Sequence, residues 1–182
     1  MSRPEGIAID GESGFAKVIC FTVAGQELAA PIRAVKETIR FRPLTRVFLT
    51  PPLVAGLINL RGEVVAVLDL AELLGLPSAG RRREDPDAAI LILRATSTEG
   101  GRAGERAAAG LLVDALHGAR DVPLGELRPA PATLDAEAAA YLRGVVTISD
   151  EHGAPRPLAL LDPERVLDTE RLRPFRRRAG VA

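Results

Sequence analysis

The chain has 182 residues and contains no tryptophan, one tyrosine (Tyr141), one cysteine (Cys20) and two histidines (His117 and His152). The shortage of aromatics removes the stacking platforms that single-stranded nucleic acids require. A lone cysteine excludes a disulfide framework and a thiolate metal cluster. No apolar run approaches the ~20 residues of a membrane span, so no membrane insertion is expected. Residues 1–14 lack the basic-then-apolar pattern of a signal peptide, so a cytoplasmic location is expected. The 24 basic and 24 acidic side chains cancel, which argues against a nucleic-acid binder working through its overall field.

What is present is apolar text in short pieces, 47% of the chain. Residues 1–14 are polar and glycine-rich, a flexible leader. Lys17–Val23 reads as a strand, Ala24–Glu27 as a hairpin turn and Leu28–Ala30 as its return. Pro31 fits the first turn of a short helix carrying Ile32, Val35 and Ile39. Residues 51–56 predict another helical turn before a strand at Leu57–Leu60. Arg61-Gly62-Glu63 turns the chain into a strand over Val64–Leu68. Asp69 caps a helix over Leu70–Leu74, which Gly75 and Pro77 end. Residues 78–87 read as a linker and 96–108 as a long loop. Strands follow at Ala88–Leu93 and Gly110–Leu116, a helix in Thr133–Tyr141, and strands at Val145–Ile148 and Leu158–Leu161. Asp162-Pro163-Glu164 starts a last helix. Short strands without long intervening helices exclude a doubly wound α/β sheet and predict an all-β protein of small barrels with a few short helices.

The two halves echo each other. Ile32–Val35 matches Val113–Leu116, Val54–Ile58 matches Leu142–Val146, and Val65–Asp69 matches Leu158–Asp162. The order is kept while the spacing drifts, as loop insertions would cause. The expected organisation is a leader (1–14), one domain (15–169) built of repeat units 17–76 and 88–168, and a basic flexible tail (170–182). Neither unit alone would bury much core, so the two share one.

The chemistry of catalysis is missing. The two histidines lack metal-ligand spacing and partners. No nucleophile elbow or phosphate loop occurs. Cys20 reads as a small buried hydrophobe inside a strand. No catalytic residue, metal, cofactor or small-molecule substrate is expected. Arg81-Arg82-Arg83 is cancelled locally by Glu84, Asp85 and Asp87. The basic tail, Glu170–Arg178, is read as a solvated segment, and a small nucleic-acid-binding barrel using it is the alternative.

Five stretches, in order, resemble the CheW-like coupling proteins of bacterial chemosensory arrays. The sharpest is Gly56–Leu70, GLINLRGEVVAVLDL, which looks like the family's G-x-x-N-L-R-G core with Ala66 in place of its usual proline. Ile32-x-x-Val35-x-Glu37, Gly110–Asp114, Tyr141–Val145 and Pro157–Asp162 look like its other motifs. The resemblance implies two intertwined five-stranded SH3/OB-like barrels around a common core, with no active site. It also implies an adaptor with two partners, the cytoplasmic tip of a chemoreceptor in the groove between barrels and the regulatory domain of a CheA-type histidine kinase at the barrel ends. Ring assembly with other CheW-like proteins follows the same logic. The family's receptor-side positions map onto Val35, Glu37 and Arg61, with Asn59 and Gly62 beside them in the sharpest motif. Arg61, in an exposed turn, offers a bidentate fork, and Glu37 is its best-placed acidic candidate. The plainer alternative makes Arg61 a solvated turn residue and Gly62 a positive-φ requirement.

Overall fold

The computed structural model describes residues 14–77, 87–94, 107–131, 134–149 and 152–172. The first hairpin joins β1 (Phe15–Val23) to β2 (Gln26–Pro31) through Ala24 and Gly25, both at positive φ. A 3-10 turn, Ile32–Ala34, leads into β3 (Val35–Arg40). A second hairpin joins β4 (Val54–Leu60) to β5 (Glu63–Asp69), and α1 (Leu70–Leu73) follows. Then come β6 (Ala89–Arg94), β7 (Ala107–Val113), β8 (Ala115–Pro123), α2 (Ala136–Ala140), β9 (Leu142–Ser149), β10 (Pro155–Leu161) and α3 (Pro163–Leu167). Asp69, Asp135 and Asp162 each accept backbone N–H groups at the start of the three α-helices.

The strands form two five-stranded sheets, in the orders β8-β1-β2-β10-β9 and β3-β6-β7-β5-β4. Each is antiparallel apart from one parallel pair, β2 with β10 and β5 with β7. The pattern repeats with β6–β10 in the places of β1–β5. Each sheet therefore takes two strands from one half of the chain and three from the other. The equivalence holds residue by residue. The β3–β6 and β8–β1 ladders each skip one residue, Lys36 and His117 respectively. The β4–β5 and β9–β10 ladders skip Ala55 and Arg143. Gly56 and Gly144 follow those bulges, and a Cβ on either would run into the backbone carbonyl of a crossing segment, Thr45 O or Arg128 O. The crossing segments pair identically, Thr45 with Leu57 and Arg128 with Val145.

Strand alternation sorts the apolar residues into three clusters. Ile90 and Ile92 join Ile58, Val65, Val67 and Leu112 inside one sheet. Val18, Cys20, Val146, Leu158 and Leu160 gather inside the other. Between them lies the largest cluster, which takes the opposite faces of the same strands: Phe21 and Val23 of β1, Ala89, Leu91 and Leu93 of β6. A sheet buried on both faces needs unbroken apolar strands, which is why β6 reads AILILR. The two sheets thus share a core, as an all-β pair of interlocked small barrels requires.

Several expectations are corrected. The predicted helix at residues 31–39 is a 3-10 turn followed by strand β3, because Val35–Arg40 pairs with β6 and its apolar spacing is set by the bulge at Lys36. The helical turn expected at 51–56 ends by Leu53, and Val54 already belongs to β4. The strand expected over Gly110–Leu116 is two strands broken at Asp114, whose carboxylate accepts the Ala24 N–H at 2.6 Å. The tail expected from residue 170 begins later. Glu170–Leu172 forms a 3-10 turn, Leu172 is only 4% exposed, and Arg171 donates to Leu73 O and Glu137. Residues 1–13, 78–86, 95–106 and 173–182, which hold most of the predicted leader, linker, loop and tail, lie outside the described residues.

Candidate partner-binding site

The hairpin between β4 and β5 has a two-residue loop, Arg61-Gly62, closed by the Leu60–Glu63 pair. Both loop residues hold positive φ, 52° and 92°, the pattern whose twist matches that of the flanking strands. An arginine in that conformation costs on the order of 1–2 kcal/mol relative to the right-handed region. Asn59 offsets part of this cost: its Oδ1 accepts the Gly62 N–H at 2.9 Å. Asn59 is therefore a turn-holding residue, and its carbonyl accepts a second bond, from Arg42 Nη2 at 2.8 Å.

β3 and β4 are the two edges of one sheet, yet side chains bring them together. Arg61 Nη2 donates to Glu37 Oε2 at 3.0 Å, and Lys36 Nζ lies 3.6 Å from Glu63 Oε2. With the Arg42–Asn59 bond and the Thr45–Leu57 bridge, these contacts close the sheet on itself. Unpaired edges invite association, and here the seam is covered. Arg61 nevertheless leaves 81% of its side chain in solvent, so most of its fork remains open to a partner.

Four of the five expected site residues therefore meet on one surface: Glu37, Asn59, Arg61 and Gly62. Val35 does not share it. It is 6% exposed and packs in the core between the sheets. Strict alternation would put positions 35 and 37 on one face, but the bulge at Lys36 breaks the parity and turns Glu37 toward the hairpin. Lys36, Arg42 and the exposed Val64 belong to the same surface and were not singled out from the sequence. The Lys36–Glu63 pair had a readable signal, opposite charges with Lys36 next to Glu37 and Glu63 two residues from Arg61.

Beyond Glu37 along β3, an open cleft of about 450 Å³ separates it from the start of β8. Thr38, Arg40, Asp87, Leu116 and His117 line it. β3 and β8 are the strands that occupy equivalent places in the two halves, so this cleft runs between the two sheets. His117 shares a hydrogen bond with the Thr22 hydroxyl. Cys20 is buried in β1, and burial raises its thiol pKa above the ordinary value. Among the described residues, no group of three or more His, Cys, Asp or Glu side chains could hold a metal ion. No helix among them is long and apolar enough to cross a membrane.

The family of CheW-like domains matches residues 17–171. The chain is 34% identical over 154 residues to protein FrzA of Myxococcus xanthus, covering 85% of this chain and 86% of that one. It is 26% identical over 162 residues to the chemotaxis protein CheW of Klebsiella aerogenes, covering 89% and 87%. Its fold is similar to the crystal structure of the scaffolding protein TtCheW from Thermoanaerobacter tengcongensis. The TM-score is 0.68 at 22% identity, over 91% of this chain and 96% of that one. Two interlocked five-stranded sheets, matched across nearly all of their length, define a CheW-like domain. The chain belongs to the CheW-like family.

Proposed function

We propose that this chain is a non-enzymatic adaptor that couples chemoreceptors to a CheA-type histidine kinase, in signal transduction controlling chemotaxis or motility. The match to the CheW-like family over residues 17–171 carries this reading. The exposed Arg61 fork, held by Glu37 one residue before the cleft-lining Thr38, gives it a docking site. A receptor tip seated in that cleft presents side chains to Glu37, Arg61 and the Thr38–Arg40 strand. Neutral overall charge and mixed-sign pairs suit a protein partner chosen by geometry, since rim charges set orientation and partner more than raw affinity. The kinase partner is its regulatory domain, and recruitment to receptor arrays places the chain in the cytoplasm.

The test is reconstitution with the purified CheA-type kinase and receptor cytoplasmic fragments of the same organism. The adaptor reading expects a ternary complex on size exclusion and receptor-dependent kinase activity only when this chain is present. Turnover of a small molecule by the chain alone, or failure to bind either partner, overturns it.

A further inference from the structure

The equivalent bulges of β3 and β8 each leave one side chain out of its ladder, Lys36 in the first and His117 in the second. A bulge re-aims the residue it carries. Lys36 turns to the hairpin acid Glu63, 3.6 Å away. His117 instead lines the cleft between the sheets, exposed, with Nε2 hydrogen-bonded to the Thr22 hydroxyl of β1. A hydroxyl both donates and accepts, so this bond survives gain or loss of a proton on the ring. It fixes the ring and leaves Nδ1 for a partner. The residue after the bulge differs too. β3 places Glu37 there and β8 places Gly118, so no carboxylate follows His117 to hold its charge.

The cleft is otherwise electrically balanced. β3 brings Arg40 and the approach to β6 brings Asp87, and the remaining lining side chains are uncharged. The proton on His117 therefore decides whether the cleft is neutral or positive, and histidine is the side chain whose charge changes between about pH 5 and 8. The elements packed around the ring do not cancel that charge. On β1, Cys20 stands opposite Gly118, and Lys17 stands opposite Asp121 at the far end of the ladder. On β2, Glu27 lies opposite Thr22 and is paired with Arg156 of β10. Asp114, before β8, accepts the Ala24 N–H, and Arg120 donates to Ser149 O of β9.

We propose that His117 is a specificity-determining residue of the cleft: its imidazolium donates through Nδ1 to a carboxylate on the receptor segment that enters, and docking strengthens as pH falls from 8 to 6. This rests on the adaptor reading above, which seats the receptor tip in that cleft. A charge-assisted hydrogen bond is roughly twice as strong as a neutral one, so the protonated ring favours an acidic segment. With Arg40 on the facing wall, a cationic segment would meet like charge from both sides. The coupling is reciprocal, so the docked receptor must hold the His117 proton more tightly by the same factor.

The test is calorimetric titration of a receptor cytoplasmic fragment into wild type, His117→Gln and His152→Gln at pH 8, 7 and 6. Comparing wild type with His117→Gln at each pH cancels titration on the receptor itself. Between pH 8 and 6 wild type should gain about threefold or more in affinity over His117→Gln, and His152→Gln should follow wild type. His117→Gln, a substitution at an exposed position, should keep its Tm within about two degrees. A second measurement needs no variant: the His117 ring of wild type, titrated by NMR, should take up its proton at higher pH with the fragment bound than without it. The same ring titration in both states overturns the proposal, as does a His117→Gln profile that tracks wild type. A gain in affinity toward high pH means that the segment presents a cation there, and overturns it too. In all three cases the adaptor reading stands, because wild type still binds the receptor. If wild type binds neither the receptor fragment nor the kinase at any pH, the adaptor reading falls and this inference with it.

Discussion

Arg61 Nη2 and Glu37 Oε2 stand 3.0 Å apart across the seam of a curled sheet, joining a hairpin loop to the strand at the sheet's far edge. The pair spans the place where a backbone ladder stops, and Arg61 holds a left-handed backbone to reach it. An ion pair this exposed stabilises a fold by only about 0–1 kcal/mol.

Arg61→Ala should therefore leave the Tm within about two degrees of wild type while weakening receptor-fragment binding at least several-fold. Differential scanning calorimetry and titration of the receptor fragment check the two halves of this expectation. A Tm lower by many degrees would make Arg61 a structural latch instead.

Gly56→Ala and Gly144→Ala should each destabilise by about 3 kcal/mol or more, because the added methyl meets a backbone carbonyl that cannot move without breaking the crossing pair. Gly25→Ala, where a Cβ meets only solvent but φ stays positive, should cost about 1 kcal/mol. Urea unfolding of the three variants ranks them, and equal costs would sink the close-approach explanation.

Truncation after Thr169 should cost about 2–4 kcal/mol relative to truncation after Leu172. The deeper cut removes a buried leucine and the two bonds of Arg171 to Leu73 O and Glu137. Thermal unfolding of the two truncated chains distinguishes them.

Cys20 should resist Ellman's reagent at pH 8 in the folded protein and react at once in denaturant. Burial raises its pKa, so the folded state favours the neutral thiol. The sign for stability follows: the contribution is fully present below the unfolded pKa and is lost as pH rises through the folded value. Unfolding measured from pH 7 upward should show stability falling only on the alkaline side.

Much of the local structure was legible. Hydrophobic runs located β1, β2, β4, β5, β6, β9 and β10, and the aspartates at 69 and 162 marked helix starts that the structure caps as expected. The elements misread were β3 and β8, the equivalent edge strands of the two sheets. Each has one face in solvent and a bulge that disrupts alternation, so neither shows the apolar pattern of a strand. Of the site, Glu37 and Arg61 could be matched by opposite charge. Val35 could not be excluded without knowing the bulge, and the exposure of Phe48 and Leu49 was not legible because apolarity does not report exposure.

What the residues decided alone is short-range: where strands break, which aspartates cap, which turns need a positive φ, and that the chain is written twice. These depend on interactions within a few residues, and each is encoded where it acts. Tertiary structure alone decided that the halves exchange strands, that one bulge sends Val35 inward and Glu37 outward, and that a phenylalanine and a leucine are left in water. Such features depend on pairing between segments far apart in the chain, and register and burial come into being only when those segments meet.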